Sequence, residues 1–410
     1  MLKMGSVPIF LLLAAHVLSM LGFATYAALL PELRDLWHLT NAEAGLVGSA
    51  FYAGYVATVS YWTALTDRID ARRVYLAGGL LSAAGAVGFG WLAQGLATAL
   101  AFQALIGAGL AATYMPGLRL LSDRISGPTQ SRAIAFYTSF FGIGVALSLV
   151  LTGAIASAWG WRAAFLLGAL GPAAAALLVI LGLDRGSDAE EASRPFRFAD
   201  LFPVHTWRRV LAVRAAVGYT LGYAVHSLEL LGSRAWMVAF LGFCAGAYAA
   251  EDAFPWSATT IAAVVNVASV PASILGNEMA LRIGRRPWIL IVMCASASGG
   301  LALALAAPLH WAIAIALLTV YSMLVLADSA TLTAGFVAAA PPGLRGAAMG
   351  MYSLAGFSGG MLGPALFGAA LDLSGGADHG MAWVWAYAAL GAGGLAAPLV
   401  VRFSGLLWRS

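Results

Sequence analysis

Between Gly218 and Trp236 the chain reads GYTLGYAVHSLELLGSRAW, an apolar run that nevertheless carries Tyr219, Tyr223, His226, Glu229 and Arg234. At about 100° per residue, Tyr219, Tyr223 and His226 share one helix face at i, i+4 and i+7, and Glu229 continues the stripe about 80° further round. Arg234 lies five residues beyond Glu229, so a straight helix does not pair the two. A second deep carboxylate, Asp328, interrupts another apolar run. A charged side chain in hydrocarbon costs about 2.5–3.5 kcal/mol on insertion scales, so such groups are expected to face a polar interior. Low dielectric disfavours an ionised carboxylate, and imidazole titrates near neutral pH. Glu229, Asp328 and His226 are therefore candidates for proton uptake and release, and Arg234 for fixing an anionic group through a forked hydrogen bond. The competing reading is an ion-pair network of these four that only holds helices together. Softer candidates are His16, Tyr26, Tyr52, Tyr55, Thr113, Tyr114, Arg119, Asn266 and Tyr321, each weighed against a packed, hydrogen-bonded role.

The elements that must position these groups follow from composition. Of 410 residues, 61% are hydrophobic and 10% charged, with a mean hydropathy of +0.86. Soluble domains carry about 25% charged residues, so a soluble enzyme, a disordered chain and a nucleic-acid-binding domain are excluded. About 20 apolar residues span a bilayer core, and apolar runs occur near 8–30, 44–65, 74–94, 97–118, 133–156, 162–182, 212–241, 257–280, 287–307, 311–334, 346–371 and 382–402. The sequence thus predicts an all-α polytopic membrane protein with twelve transmembrane helices. The first run, Val7 to Leu30, exceeds the 7–15 apolar residues of a signal peptide and is expected to be a retained helix.

Lys and Arg set the orientation. With the N-terminus taken as cytoplasmic, the inside segments hold Lys3, Arg68, Arg72, Arg73, Arg119, Arg124, Arg132, Arg185, Arg194, Arg197, Arg208, Arg209, Arg282, Arg285, Arg286, Arg345, Arg402 and Arg409. Outside loops hold only Arg34 and Arg162, with Glu32, Asp35, Glu43, Glu251, Asp252 and Asp378. Both termini are therefore expected in the cytoplasm, in a multi-pass protein of the inner (plasma) membrane. Cys244 and Cys294 lie in apolar runs without ligand-like neighbours, so neither a disulfide nor a metal site is expected. The polar segment 183–209 reads as a cytoplasmic linker with a short surface helix near Phe196–Phe202, dividing a bundle of residues 1–182 from one of residues 210–410.

The two halves repeat. Asp67-Arg68-Ile69-Asp70-Ala71-Arg72-Arg73 is echoed by Leu281-Arg282-Ile283-Gly284-Arg285-Arg286 at a displacement of 214, and Ala133-Ile134-Ala135-Phe136-Tyr137 by Ala348-Met349-Gly350-Met351-Tyr352 at 215. Parallel repeats of this kind are associated with transporters whose site lies where the repeats meet. The loop from Thr63 to Arg73, with its echo at Gly284-Arg285-Arg286, resembles the signature loop of the major facilitator superfamily. That resemblance implies the major facilitator fold of two six-helix repeats, with the first, fourth, seventh and tenth helices lining a central cavity. It also implies a cytoplasmic latch, carried here by Asp67, Arg68 and Arg72 and echoed by Arg282, Arg285 and Arg286. Asp70 and Ala71 stand where Gly and a basic residue are usual. Gln103 stands where many proton-coupled members have Arg, and Ser148-Leu149 where drug–proton antiporters have Gly-Pro, although Gly363-Pro364 is present in the eleventh span.

Small residues allow close helix packing in membranes, and the fifth and eleventh spans carry sets of them: Gly142, Gly144 and Gly153, then Gly356, Gly359, Gly360, Gly363 and Gly368. The expected function is secondary transport of a small polar solute, with an organic anion as one class, by alternating access coupled to protons. Uncoupled uniport or efflux, and a non-transporting sensor or assembly factor, are the alternatives. No catalytic motif is present, and no cofactor, metal or nucleic-acid partner is expected. The partners are the solute, protons and the lipid bilayer, and the chain is expected to be a monomer.

Overall fold

The computed structural model describes residues 7–66, 68–125, 128–184, 204–248, 253–341 and 344–404, and among these every regular element is helical. In chain order the α-helices are α1 (Val7–Ser19), α2 (Thr25–Leu36), α3 (Asn41–Leu65), α4 (Ala71–Leu92), α5 (Leu96–Ser122), α6 (Pro128–Gly168), α7 (Leu170–Gly182) and α8 (Val204–Leu211). They continue as α9 (Arg214–Ala247), α10 (Ala258–Ile283), α11 (Arg285–Ala306), α12 (Trp311–Leu326), α13 (Ser329–Ala339), α14 (Arg345–Leu373), α15 (Gly380–Gly391) and α16 (Ala397–Phe403). Residues 1–29 and 50–202 belong to one compact unit, and residues 30–49 and 203–410 to a second. The repeat is visible in the element boundaries, since α4 and α11 begin 214 positions apart. The surface helix expected near 196–202 lies outside the described residues; a helix is present just after it, at α8.

Nine described segments are long and apolar enough to cross a membrane. One of them, Phe140–Gly182, has 43 residues and at 1.5 Å per residue is about 65 Å long, enough for two crossings of a ~30 Å core. It turns at Gly160, whose φ of 81° and ψ of 168° are a backbone conformation essentially restricted to glycine. With α1–α2 and α3 as further spans, the fold is all-α and polytopic with twelve crossings.

Three spans expected to be continuous are broken. The first is two helices, because the chain tightens at 20–24 and Ala24 N–H donates to Ser148 Oγ at 3.0 Å while Thr25 and Thr152 hydroxyls meet at 3.1 Å. Side chains of α6 thus take over hydrogen bonds that the helix surrenders. The tenth is broken at Ala327–Asp328, where the Ala327 carbonyl is claimed by Trp288 Nε1–H at 3.0 Å. The last span tightens into a 3₁₀ turn at Ala392–Ala396, in a stretch rich in glycine.

In the second unit the glycines of α14 lie against α9. A β-carbon on Gly359 would stand 2.0 Å from the Ala224 carbonyl oxygen, one on Gly363 2.3 Å from that of Leu228, and one on Gly356 2.1 Å from the Tyr223 ring. Backbone-to-backbone approach of this kind lets dispersion hold helices together where no hydrophobic drive exists. Gly359→Val is expected to force α9 and α14 apart and destabilise the fold by about 1–3 kcal/mol or more, read as a fall in thermal unfolding temperature in detergent. The same unit includes the start of α3, whose N-terminus is capped by Asp372. Its Oδ1 accepts from Asn41 N (3.1 Å) and Nδ2 (2.7 Å), and its Oδ2 from Ala42 N (2.7 Å), a carboxylate at the positive end of a helix. Arg34 Nη1 donates to Asn41 Oδ1 at 2.9 Å and completes this cap.

Candidate functional site

Helix α9 brings His226 and Glu229 to the inside of the second unit, where the residue before α13, Asp328, joins them. His226, Glu229 and Asp328 are 3%, 6% and 3% exposed. His226 Nδ1 stands 2.8 Å from Asp328 Oδ1, an ion-pair distance whose alignment is not that of a formed hydrogen bond. Asp328 is available because α13 starts there without using its carboxylate as a cap; the break in the tenth span delivers this charge to the interior. Tyr223 stacks on Tyr352 with ring centroids 4.2 Å apart and 5.9 Å from the His226 ring. The Tyr352 hydroxyl lies 3.3 Å from Thr333 Oγ1.

Glu229 is held from α11. Ser296 Oγ lies 3.0 Å from Glu229 Oε2 and 3.2 Å from the Met293 carbonyl, while Glu229 Oε1 is buried without a hydrogen-bond partner. A serine hydroxyl has one proton and can donate only once. When Ser296 donates to Met293, its contact with Glu229 is favourable only if Glu229 carries a proton and donates to Ser296. When Glu229 is ionised, Ser296 must abandon Met293 and donate to the carboxylate. The geometry thus accommodates both protonation states by rotating one hydroxyl. Tyr321 neighbours Glu229, and its hydroxyl and that of Tyr387, whose ring is 5.5 Å from it, are buried without partners.

Of the sequence candidates, Tyr223, His226, Glu229, Asp328 and Tyr321 come together. Tyr219 does not join them; it packs in an apolar cluster with Phe336 and stands beside Arg285. Asn266 is buried on α10, its amide donating to the Ala262 carbonyl at 2.8 Å and its Oδ1 unpartnered. Arg234 is half-buried further along α9. Ser296, Thr333, Tyr352 and Tyr387 were not singled out from sequence. Tyr352 carried a signal, since the repeat places it opposite Tyr137; a serine among small residues carries none.

His16, Tyr26 and Tyr114 belong to the first unit. His16 is wholly buried and stacks on Tyr137 at 4.0 Å, with Tyr114 at 5.5 Å, and Tyr26 packs at the Phe89 ring. Arg119 is half-exposed and donates to Thr66 Oγ1 at 2.8 Å. Asp67 of the signature loop lies outside the described residues. Arg72 donates to Asp70 Oδ2 through Nε (2.9 Å) and Nη2 (2.6 Å), and its Nη1 donates to the Leu183 carbonyl. Asp70, which departs from the usual pattern, is thus the partner of Arg72 and also caps α4 by accepting from Arg72 N–H at 2.9 Å. In the echo loop, Gly284 joins α10 to α11 with φ 97°, Arg282 is exposed, and Arg285 and Arg286 are half-buried.

Burial pushes the Asp70 carboxyl up, but hydrogen bonds from the Arg72 side chain and backbone, with the charges of Arg72 and Arg73, outweigh it and hold the group below its ordinary 3.8. A lowered folded-state value adds stability at neutral pH that is lost as pH falls through that value. Asp70→Ala is expected to cost about 1 kcal/mol at pH 7, the usual magnitude for a helix cap. Thermal unfolding should show the gap from wild type closing below pH 3.8.

Among the described residues no three His, Cys, Asp or Glu side chains converge as metal ligands would. The model of the Major Facilitator Superfamily matches residues 12–364. The chain is similar to the niacin transporter NiaP of Acinetobacter baylyi, 30% identical over 33% of this chain and 30% of that protein. It is also similar to a probable 4-methylmuconolactone transporter of Cupriavidus pinatubonensis, 27% identical over 66% of this chain and 62% of that one. The match therefore spans less than two thirds of either relative. Among solved structures, an inward-facing, unoccupied bacterial homolog of the human lysosomal transporter Spinster superposes with a TM-score of 0.73 at 15% identity, covering 98% of this chain and 97% of that one. The nucleoside transporter NupG gives 0.72 at 16%, covering 97% and 100%. At these identities the two structures speak to the fold.

Proposed function

The chain belongs to the Major Facilitator Superfamily, and on that premise we propose that it is a secondary transporter moving a small polar solute by alternating access, coupled to protons at Glu229 with His226 and Asp328 as a companion pair. The observation that carries the coupling is the hydrogen balance at Glu229, where one serine proton faces two acceptors and a carboxyl proton resolves the conflict. Neutralising the carboxylate lowers the cost of enclosing it in a dry interior, so proton and solute occupancy become linked to the change of access. An organic anion is the solute class favoured by niacin, the substrate for which the Acinetobacter baylyi relative is named. In this reading residues 1–182 and 210–410 are the two moving halves, residues 183–209 join them, both termini are cytoplasmic, and the protein works as a monomer in the inner membrane.

A thermal-shift screen over small anions, amines and neutral metabolites, beginning with niacin, selects the solute through ligand linkage. Uptake into proteoliposomes with an imposed pH gradient then tests coupling. Gradient-driven accumulation supports the reading; equilibration without accumulation under every gradient overturns the coupling. Uncoupled uniport is the second reading, favoured by Gln103, a neutral side chain only 3% exposed within α5. Counterflow with full rate in the presence of an uncoupler, together with absent accumulation, favours it.

A further inference from the structure

Helix α8 reads VHTWRRVL from Val204 to Leu211, and its residues change character in order around the helix. At about 100° per residue Trp207 and Val210 lie about 60° apart, and this is the side that packs: Val210 is buried in the second unit's apolar core and Trp207 rests against it. Leu211 and Val204 continue the same apolar sector round the helix, yet they are 48% and 55% exposed. Arg208 comes next after Val204, with His205 and Arg209 farther round, all of them exposed. The circuit thus runs from covered apolar, through uncovered apolar, to cationic. A helix with this order of faces suits the boundary between acyl chains and headgroups, where arginine stems lie over the apolar layer and their guanidinium groups reach the phosphates.

Two further observations place α8 at that depth. Helix α9 starts at Arg214, separated from α8 only by Ala212 and Val213. Its 34 residues are about 51 Å long, against ~30 Å for the hydrocarbon core and ~40–45 Å with the headgroup layers. The ends of α9 therefore emerge among headgroups, and α8 is tied to one of them. At that end the Arg214 guanidinium stands 5.6 Å over the Phe403 ring, which brings the last turn of α16 and its exposed Arg402 alongside. A β-carbon on Gly218 would stand 2.5 Å from Ser404 N, so the two helices meet closely there. Stacking uses the face of a guanidinium and leaves its N–H edge for an oxyanion. Neither 204–214 nor 397–404 contains Asp or Glu. Among the described residues the side chains of Arg208 and Arg209 make no ion pair or hydrogen bond.

We infer that α8, with the adjoining ends of α9 and α16, is a docking surface for anionic phospholipid headgroups. Val204 and Leu211 meet the first acyl carbons, and Arg208, Arg209, Arg214 and Arg402 face the phosphates. A soluble anion would satisfy the arginines and leave the apolar edge wet; a lipid covers both. The surface begins at the opposite end of α9 from the buried cluster, Glu229 lying 15 positions beyond Arg214, and it does not depend on proton coupling at Glu229.

The test uses the full chain with the exposed Cys294 removed by Cys294→Ser and a nitrobenzoxadiazole fluorophore attached through Leu211→Cys; Cys244 is buried. The protein is reconstituted in phosphatidylcholine vesicles containing a small fraction of spin-labelled lipid, either phosphatidylcholine or phosphatidylglycerol with the label at the same acyl carbon. Both quenchers should reach the probe. An arginine near an anionic surface is worth about fivefold in lipid preference, so phosphatidylglycerol should quench at least about fivefold more effectively at low salt. The preference should collapse at ~1 M salt, where the Debye length is about 3 Å. Arg208→Gln combined with Arg209→Gln should bring the two lipids close to equality while quenching by phosphatidylcholine persists, and Lys at both positions should keep the preference. Thermal unfolding in detergent should not separate these variants from wild type, because the replaced side chains are exposed. A probe that neither lipid quenches overturns the inference, and is the result expected if the linker's Asp188, Glu190 and Glu191 cover α8 instead. Equal quenching by the two lipids without the arginine substitutions also overturns it, as does a preference that the double Gln variant leaves intact.

Discussion

Glu229→Gln is expected to fold as stably as the wild type and to lose gradient-driven accumulation altogether. The amide is nearly isosteric with the carboxyl, and its NH₂ can donate to Ser296 Oγ while Ser296 donates to the Met293 carbonyl, the arrangement that a protonated Glu229 would adopt at 3.0 and 3.2 Å. The variant therefore mimics one protonation state permanently. With an imposed difference of one pH unit, a single coupled proton supplies about 1.4 kcal/mol and concentrates the solute about tenfold; the variant should only equilibrate it. Exchange of labelled for unlabelled solute, which needs no net proton movement, should persist. Proteoliposome accumulation and counterflow measured side by side check the two halves of this expectation. Accumulation at wild-type level in Glu229→Gln removes Glu229 from the coupling role, and loss of both activities makes it a solute-binding or structural residue. Ser296→Ala should be milder, since it takes away one partner but leaves the carboxyl able to change its charge.

What the residues revealed in advance, and what they hid, divides along the range of the interactions. Apolar length and the Arg distribution are properties of each segment by itself, so the spans and the repeat were legible. That Glu229, His226 and Asp328 would turn inward was legible too, because charge in an apolar run is costly against lipid; a polar passage was the expectation, and the structure buries all three at 3–6% exposure. The breaks were not legible. The one at Ala327–Asp328 depends on Trp288, 39 positions earlier, taking a backbone carbonyl, and the one at 20–24 on Ser148, 124 positions from Ala24. Nothing local marks either donor or acceptor. The Asp372 cap on α3 joins residues more than 300 positions apart, and no periodicity reports such a pairing. Ser296 was hidden for a different reason: serine is common at helix contacts in membranes, and only its distance from a carboxylate gives it meaning. A helical stripe identifies a face and not how far along that face the polar interior extends: Tyr219, one turn from Tyr223 on the same face, lies in apolar core.

His226→Leu is expected to be the most damaging single change to stability. It leaves the Asp328 carboxylate, 4% exposed at its side chain, without its 2.8 Å partner, and removing one member of a buried pair costs about 3–5 kcal/mol. His226→Leu combined with Asp328→Leu should recover most of that loss, since replacing both members with apolar groups of similar volume is often close to neutral. Denaturant unfolding of the wild type, the two single variants and the double variant forms a cycle whose interaction energy measures the pairing; additive losses would show that the two side chains are near one another without being coupled. The same double variant separates the structural role from the transport role. If the pair exists only to hold α9 against the broken tenth span, the doubly apolar protein should transport like the wild type once it is stably folded. If protons or solute move through the pair, it should be stable and inactive. The second outcome is expected, because a fold seeking only adhesion at this point had an apolar solution available in the Leu- and Ala-rich residues on either side, and two ionisable side chains buried face to face at a break in a helix are the more expensive choice.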